Sequence, residues 1–108
     1  MKTPMKSVLK ASLVSATLIT AASAQSVQAG DVQQGKQKAA LCFSCHGEQG
    51  RAILPQYPNL SGQSAEYLSI ALKGYKNGTR LDPVMAPMAK ILSEDDIANI
   101  SAYFATFQ

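Results

Sequence analysis

Residues 42–46 read Cys-Phe-Ser-Cys-His, and this pentapeptide uses both cysteines and the single histidine of the 108-residue chain. Two thiols three positions apart can each add to one vinyl group of a porphyrin, while an imidazole directly after the second reaches the iron; C-x-x-C-H is the attachment signal for c-type haem. On this reading Cys42 and Cys45 carry thioether bonds to one covalent haem c, and His46 is the proximal iron ligand. Two other uses of these residues compete with it. A redox dithiol is associated with a βαβ pattern, and no alternating or Val/Ile-rich run lies near the motif. A structural zinc site needs four Cys or His ligands, and the chain offers three, two of them adjacent in sequence.

Towards the N-terminus, Lys2, Lys6 and Lys10 form a basic stretch, and residues 11–24 (ASLVSATLITAASA) are apolar and rich in small side chains. Those are the features of a secretory signal peptide, and the segment is too short to span a bilayer. Cleavage sites follow Ala24 and Ala29; the second is preferred, dividing the chain into a leader, 1–29, and a domain, 30–108. Neither site has a cysteine beside it, so lipid anchoring of a new N-terminal thiol is not expected. Export to the periplasm fits the motif, because haem is attached to thiols there in bacteria. The domain itself shows no transmembrane segment. Ten Lys and Arg face seven Asp and Glu in the whole chain, but three of those lysines belong to the leader. The domain is therefore close to neutral, and nucleic-acid binding is not predicted.

Residues 30–108 make one small domain, with no internal repeat, low-complexity stretch or second haem motif. A core of that size usually leans on a staple, and a covalently held haem is the expected one. The apoprotein is accordingly expected to be largely unfolded.

The coarse pattern is helical. Asp31–Leu41 has a plausible N-cap in Asp31 and a glycine, Gly35, in its interior, which costs roughly 1 kcal/mol relative to Ala and suggests close approach by another element. Gly47–Ser61, with Gly47, Gly50, Pro55 and Pro58, reads as an irregular loop. Ser64–Lys76 places Tyr67 or Leu68, Ala71, Leu72 and Tyr75 on one face, with Ser64 at its start and Asn77-Gly78 at its end. Pro83–Ala89 reads as a flexible loop. In the last helix Ser93 and Asp96 form a capping-box pair, and Leu92 with Ile97 matches a hydrophobic staple. Ile97, Ile100, Tyr103 or Phe104, and Phe107 continue an apolar face whose natural partner is the first helix at Gly35.

A sixth iron ligand has few sources. There is no second histidine, and with the leader removed only Met85 and Met88 remain as methionines. A His/Met pair raises the haem potential into the range of electron carriers, but spacing alone leaves either methionine available.

Over essentially all of Gly30–Gln108 the chain resembles the class I cytochromes c, in particular the small single-haem periplasmic group known as cytochrome c-553-like, and also one half of the two-haem c-4 type. The resemblance is carried by Cys42-x-x-Cys45-His46-Gly47, by Tyr57-Pro58-Asn59-Leu60-Ser61-Gly62-Gln63, and by Tyr67-Leu68, Leu72, Tyr75, Gly78 and Arg80. Met85-x-x-x-Ala89-x-x-Leu92-Ser93-x-x-Asp96-Ile97 and Tyr103-Phe104 complete it. It implies an all-α fold of three to four helices packed around a covalent haem c. It implies Met85 as the ligand methionine, and a Pro58 backbone carbonyl that accepts from the other nitrogen of His46. Tyr75 and Arg80 are placed near the haem edge or its propionates. The implied role is a monomeric single-electron carrier, not an enzyme, serving transient redox partners such as a periplasmic dehydrogenase, oxidase or reductase. Two alternatives are an electron-accepting haem subunit of a periplasmic dehydrogenase and a gas-binding or peroxidase-like haem protein.

Overall fold

The computed structural model describes Pro4, residues 12–19 and residues 29–108; most of the expected leader, 1–29, lies outside the described residues. The described elements are all helical: α1 Val32–Ala39, a 3₁₀ turn Ala40–Cys42, α2 Phe43–His46, α3 Ala65–Asn77, α4 Met85–Lys90 and α5 Glu94–Phe104. The all-α expectation holds, with three longer helices and two short ones. No helix among the described residues is long and apolar enough to cross a membrane.

Helix α1 starts where its cap predicts. The Asp31 carboxylate accepts from the Gln34 backbone N–H at 2.8 Å, satisfying a donor that the first turn leaves free. The Asp31 N–H in turn donates to Asn99 Oδ1 at 2.7 Å, which pins the start of α1 to α5. Gly35 is where the two helices meet. A Cβ there would lie 1.9 Å from the Asn99 carbonyl oxygen and 2.9 Å from Tyr103 Cβ, so only a bare backbone permits this approach. The helix expected through Leu41 tightens to 3₁₀ geometry after Ala39, a common way for an α-helix to end, and passes directly into α2 with the cysteine-histidine turn.

Helix α5 is the spine of the core. Ser93 Oγ accepts from Asp96 N–H at 3.0 Å and Asp96 Oδ2 accepts from Ser93 N–H at 2.9 Å, so the capping box forms in both directions. Leu92 and Ile97, the staple pair, are both buried, in one cluster with Ala39, Leu68, Ile100, Tyr103 and Phe104. Phe43 of α2 joins by ring packing on Tyr103 (6.0 Å between centroids) and edge-on to Phe104 (6.4 Å). The Tyr103 hydroxyl donates to the Glu48 carbonyl at 2.7 Å, giving the polar end of a buried ring its partner. The exposed ion pairs Lys36–Glu48 and Lys73–Glu94 and the half-buried Lys38–Asp96 add little to these contacts, at about 0–1 kcal/mol each.

Helix α3 begins at Ser64, whose hydroxyl accepts from Tyr67 N–H at 3.1 Å, and ends at Gly78 with φ 84°. It packs on α5 through Leu68 and on α4. Helix α4 departs from the expectation of a flexible loop over Pro83–Ala89. Pro83 lies before the helix and Pro87 in its first turn, where a missing N–H breaks no hydrogen bond because first-turn donors have no intrahelical acceptor.

Candidate functional site

An apolar cavity of about 180 Å³ lies between α2, α3, α4 and the inner face of α5. Cys42, His46 and Met85 line it together with Leu68, Leu72, Ile100 and Phe104. Cys45, on the same turn as His46, is half-buried and does not line the cavity.

His46 is buried, and its Nδ1 lies 2.8 Å from the Pro58 carbonyl oxygen. A carbonyl can only accept, so Nδ1 carries the proton and donates, which leaves the Nε2 lone pair free. Pro58 sits in the irregular loop between α2 and α3, as predicted. The loop is closed by hydrogen bonds across it: Leu60 and Ser61 N–H both donate to the Gly50 carbonyl, at 2.7 and 3.0 Å, and Ala52 N–H donates to Asn59 Oδ1 at 2.8 Å.

The two thiols are free, not bridged. Burial, followed by the neighbouring Cys45, pushes the Cys42 thiol up to about 11. Reactive redox dithiols need the opposite, a stabilised thiolate, so this site does not suit dithiol exchange. Zinc chemistry finds no support either: among the described residues no three His, Cys, Asp or Glu side chains gather in a metal-holding group. An apolar cavity lined by an imidazole, a thioether sulfur and a thiol suits a haem.

Met85 is the first residue of α4, and Asp82 fixes it there. The Asp82 carboxylate accepts from Val84 N–H at 2.8 Å and from Met85 N–H at 2.7 Å; these bonds, that from Met85 foremost, hold its pKa below the usual carboxylate range. Met88 does not line the cavity. Tyr75 and Arg80 both do, and the Arg80 guanidinium stacks over the Tyr75 ring at 4.6 Å. Sequence reasoning gave no role to Asp82 or Asn59. The Asp82-Pro83 dipeptide is a turn signal that points to the first; the partner of Asn59 lies across a loop and leaves no local sign.

The sequence matches the family profile described as cytochrome c over residues 32–108. It is 46% identical over 81 residues to cytochrome c-554(548) of Halomonas halodenitrificans, covering 72% of this chain and 98% of that protein. It is 39% identical over 67 residues to the thiosulfate dehydrogenase electron acceptor of Stutzerimonas stutzeri (strain A1501), covering 59% of this chain and 31% of that protein. The crystal structure of reduced recombinant cytochrome c4 from Pseudomonas stutzeri is similar with a TM-score of 0.69 at 35% identity, over 74% of this chain and 47% of that one. The chain thus spans nearly all of the short relative and half or less of the longer two. A family match across almost the whole domain, on a helical fold with an apolar cavity beside C-x-x-C-H, means that this chain belongs to the cytochrome c family, as a class I domain with covalent haem c that resembles one half of a cytochrome c4.

Proposed function

We propose that the chain is a monomeric single-electron carrier of the periplasm, exported by a leader cleaved after Ala29. One haem c would be held by thioethers at Cys42 and Cys45, with His46 and Met85 as the iron ligands. The observation that carries this reading is that the Met85 side chain and an imidazole donating its Nδ1–H to Pro58 at 2.8 Å line the same apolar cavity. Bound there, the haem iron supplies one-electron oxidation and reduction. The residues supply the rest. Pro58 fixes the His46 tautomer and raises the basicity of Nε2. Met85 offers a soft sulfur that favours the reduced iron. Leu68, Leu72, Ile100 and Phe104 exclude water. Arg80, stacked on Tyr75, keeps its planar donors for a propionate carboxylate. No side chain makes or breaks a substrate bond, so the role is a carrier and not an enzyme. Partners dock through a small, transient interface near the Cys42–Cys45 turn.

A second reading, an electron-accepting haem subunit of a dehydrogenase, draws support from the similarity to the thiosulfate dehydrogenase electron acceptor. Gel filtration of the native protein separates the two: a monomer supports the free carrier, and stable co-elution with a large catalytic subunit supports the second. The carrier reading is tested by visible spectra of the oxidised and reduced protein with and without carbon monoxide. A low-spin spectrum that carbon monoxide leaves unchanged is expected, and a shifted one would replace the carrier with a gas-binding or peroxidase-like protein.

A further inference from the structure

We infer that Asn59 is a positioning residue for the proximal ligand: by accepting from the Ala52 backbone it holds the Pro58 carbonyl against His46 and so sets how strongly the imidazole donates to iron. This inference rests on the proposed ligation by His46. The Pro58 carbonyl and the Asn59 N–H belong to one planar peptide unit, so whatever fixes the backbone at Asn59 fixes the direction of that carbonyl. Pro58 itself has no N–H with which to anchor the segment.

Between α2 and α3 the loop has no helix or strand to hold it. Its far limb is tied to its near limb at two adjacent places. Leu60 and Ser61 donate to the Gly50 carbonyl at 2.7 and 3.0 Å, and Gly50 reaches this geometry with φ 73°, where a Cβ would lie 2.7 Å from Ser61 N. The second tie, Ala52 N–H to Asn59 Oδ1 at 2.8 Å, is the one next to Pro58. Without it the 58–59 peptide is free to pivot between the Pro58 ring and the Gly50 tie. Among the described residues the His46 ring makes one hydrogen bond, to the Pro58 carbonyl, so a pivot of this peptide acts on that bond.

The test compares the wild-type holoprotein with Asn59→Ala and Asn59→Asp by hydrogen exchange of the His46 Nδ1 proton in the reduced state, midpoint potential and Tm. Asn59→Ala is expected to exchange the Nδ1 proton several-fold faster, up to about tenfold, the equivalent of weakening one hydrogen bond by about 1.4 kcal/mol. Its potential should rise, because a weaker imidazole donor stabilises the oxidised iron less. Asn59→Asp keeps the acceptor, so its Nδ1 proton should stay slow whatever its added charge does to the potential. If Asn59→Ala gives no holoprotein, Asn59→Ser, whose hydroxyl is too short to span the loop, is read in the same way. A lower Tm with unchanged exchange and potential would overturn the inference and leave Asn59 a loop brace only. Failure of the ligation reading is separate: the wild-type spectrum would then lack the His46 ligand before any variant is made.

Discussion

Met85 and Met88 are three residues apart on one short helix, yet only Met85 lines the cavity. Met85→Ala is therefore expected to open the sixth position, so that carbon monoxide shifts the reduced spectrum, while Met88→Ala leaves the spectrum closed. The reverse pattern would make Met88 the ligand. Asp82 sharpens the point, because its carboxylate holds the Met85 backbone N–H at 2.7 Å. Asp82→Ala should let added imidazole displace the methionine several-fold more readily than in wild type, and Asp82→Asn, which keeps an acceptor, should restore resistance. Equal imidazole affinity in all three proteins would show that α4 holds Met85 without this turn. At this scale the proposed attachment turn, Cys42, Cys45 and His46, rests on the sequence directly, because haem attachment would need those residue types at that spacing. The Pro58 partner is legible only through family resemblance, since a loop separates it from His46. Asn59 and Asp82 escape notice because each acts through backbone N–H groups, which every sequence has.

Helix ends obey local rules, which is why α1, α3 and α5 begin at Asp31, Ser64 and Ser93 as their cap residues predict. Helix α4 was hidden by Pro83 just before it and Pro87 inside it, since proline rules out a helix interior but not a first turn. The α1–α5 crossing gives a test of close packing. Gly35→Ala would gain up to about 1 kcal/mol of helix propensity, but its Cβ would sit 1.9 Å from the Asn99 carbonyl oxygen. Overpacking of this kind costs about 1–3 kcal/mol, and because the clash is with backbone the helices must part. A clear net loss of Tm is expected, and an unchanged Tm would show that α1 can shift freely on α5. The α5 cap predicts a pH dependence. Hydrogen bonding from Ser93 foremost, with Lys38 adding, lowers the Asp96 pKa. Its stabilising effect is thus fully present above the unfolded value of about 3.9 and lost as pH falls through the lower folded value. Thermal melts should show the stability gap between wild type and Asp96→Ala narrowing below about pH 4. A gap that stays constant into strong acid would mean that the carboxylate charge contributes nothing.

At the scale of the whole molecule, the helices pack one buried cluster along α5 and leave an apolar cavity beside it. The buried cluster lies along α5, with Leu68 as the one α3 residue in it, so α3 and α4 close against the cavity more than against the spine. The Cys42→Ala/Cys45→Ala double variant, unable to hold haem covalently, is expected to lack the cooperative thermal transition of the holoprotein. A transition close to that of the holoprotein would show that the α1–α5 pair is stable enough alone. The crossing of α1 and α5 also bears on the order of events in the cell. The earliest helix of the domain has its main partner in the last, and Asp31 reaches Asn99 across 68 positions. Contacts so distant in sequence form late and slowly, and here they cannot form until the chain has been made through Asn99. A domain whose first helix must wait for α5 stays open while it is being made, and Cys42 and Cys45 remain within reach of cofactor attachment before the walls draw in.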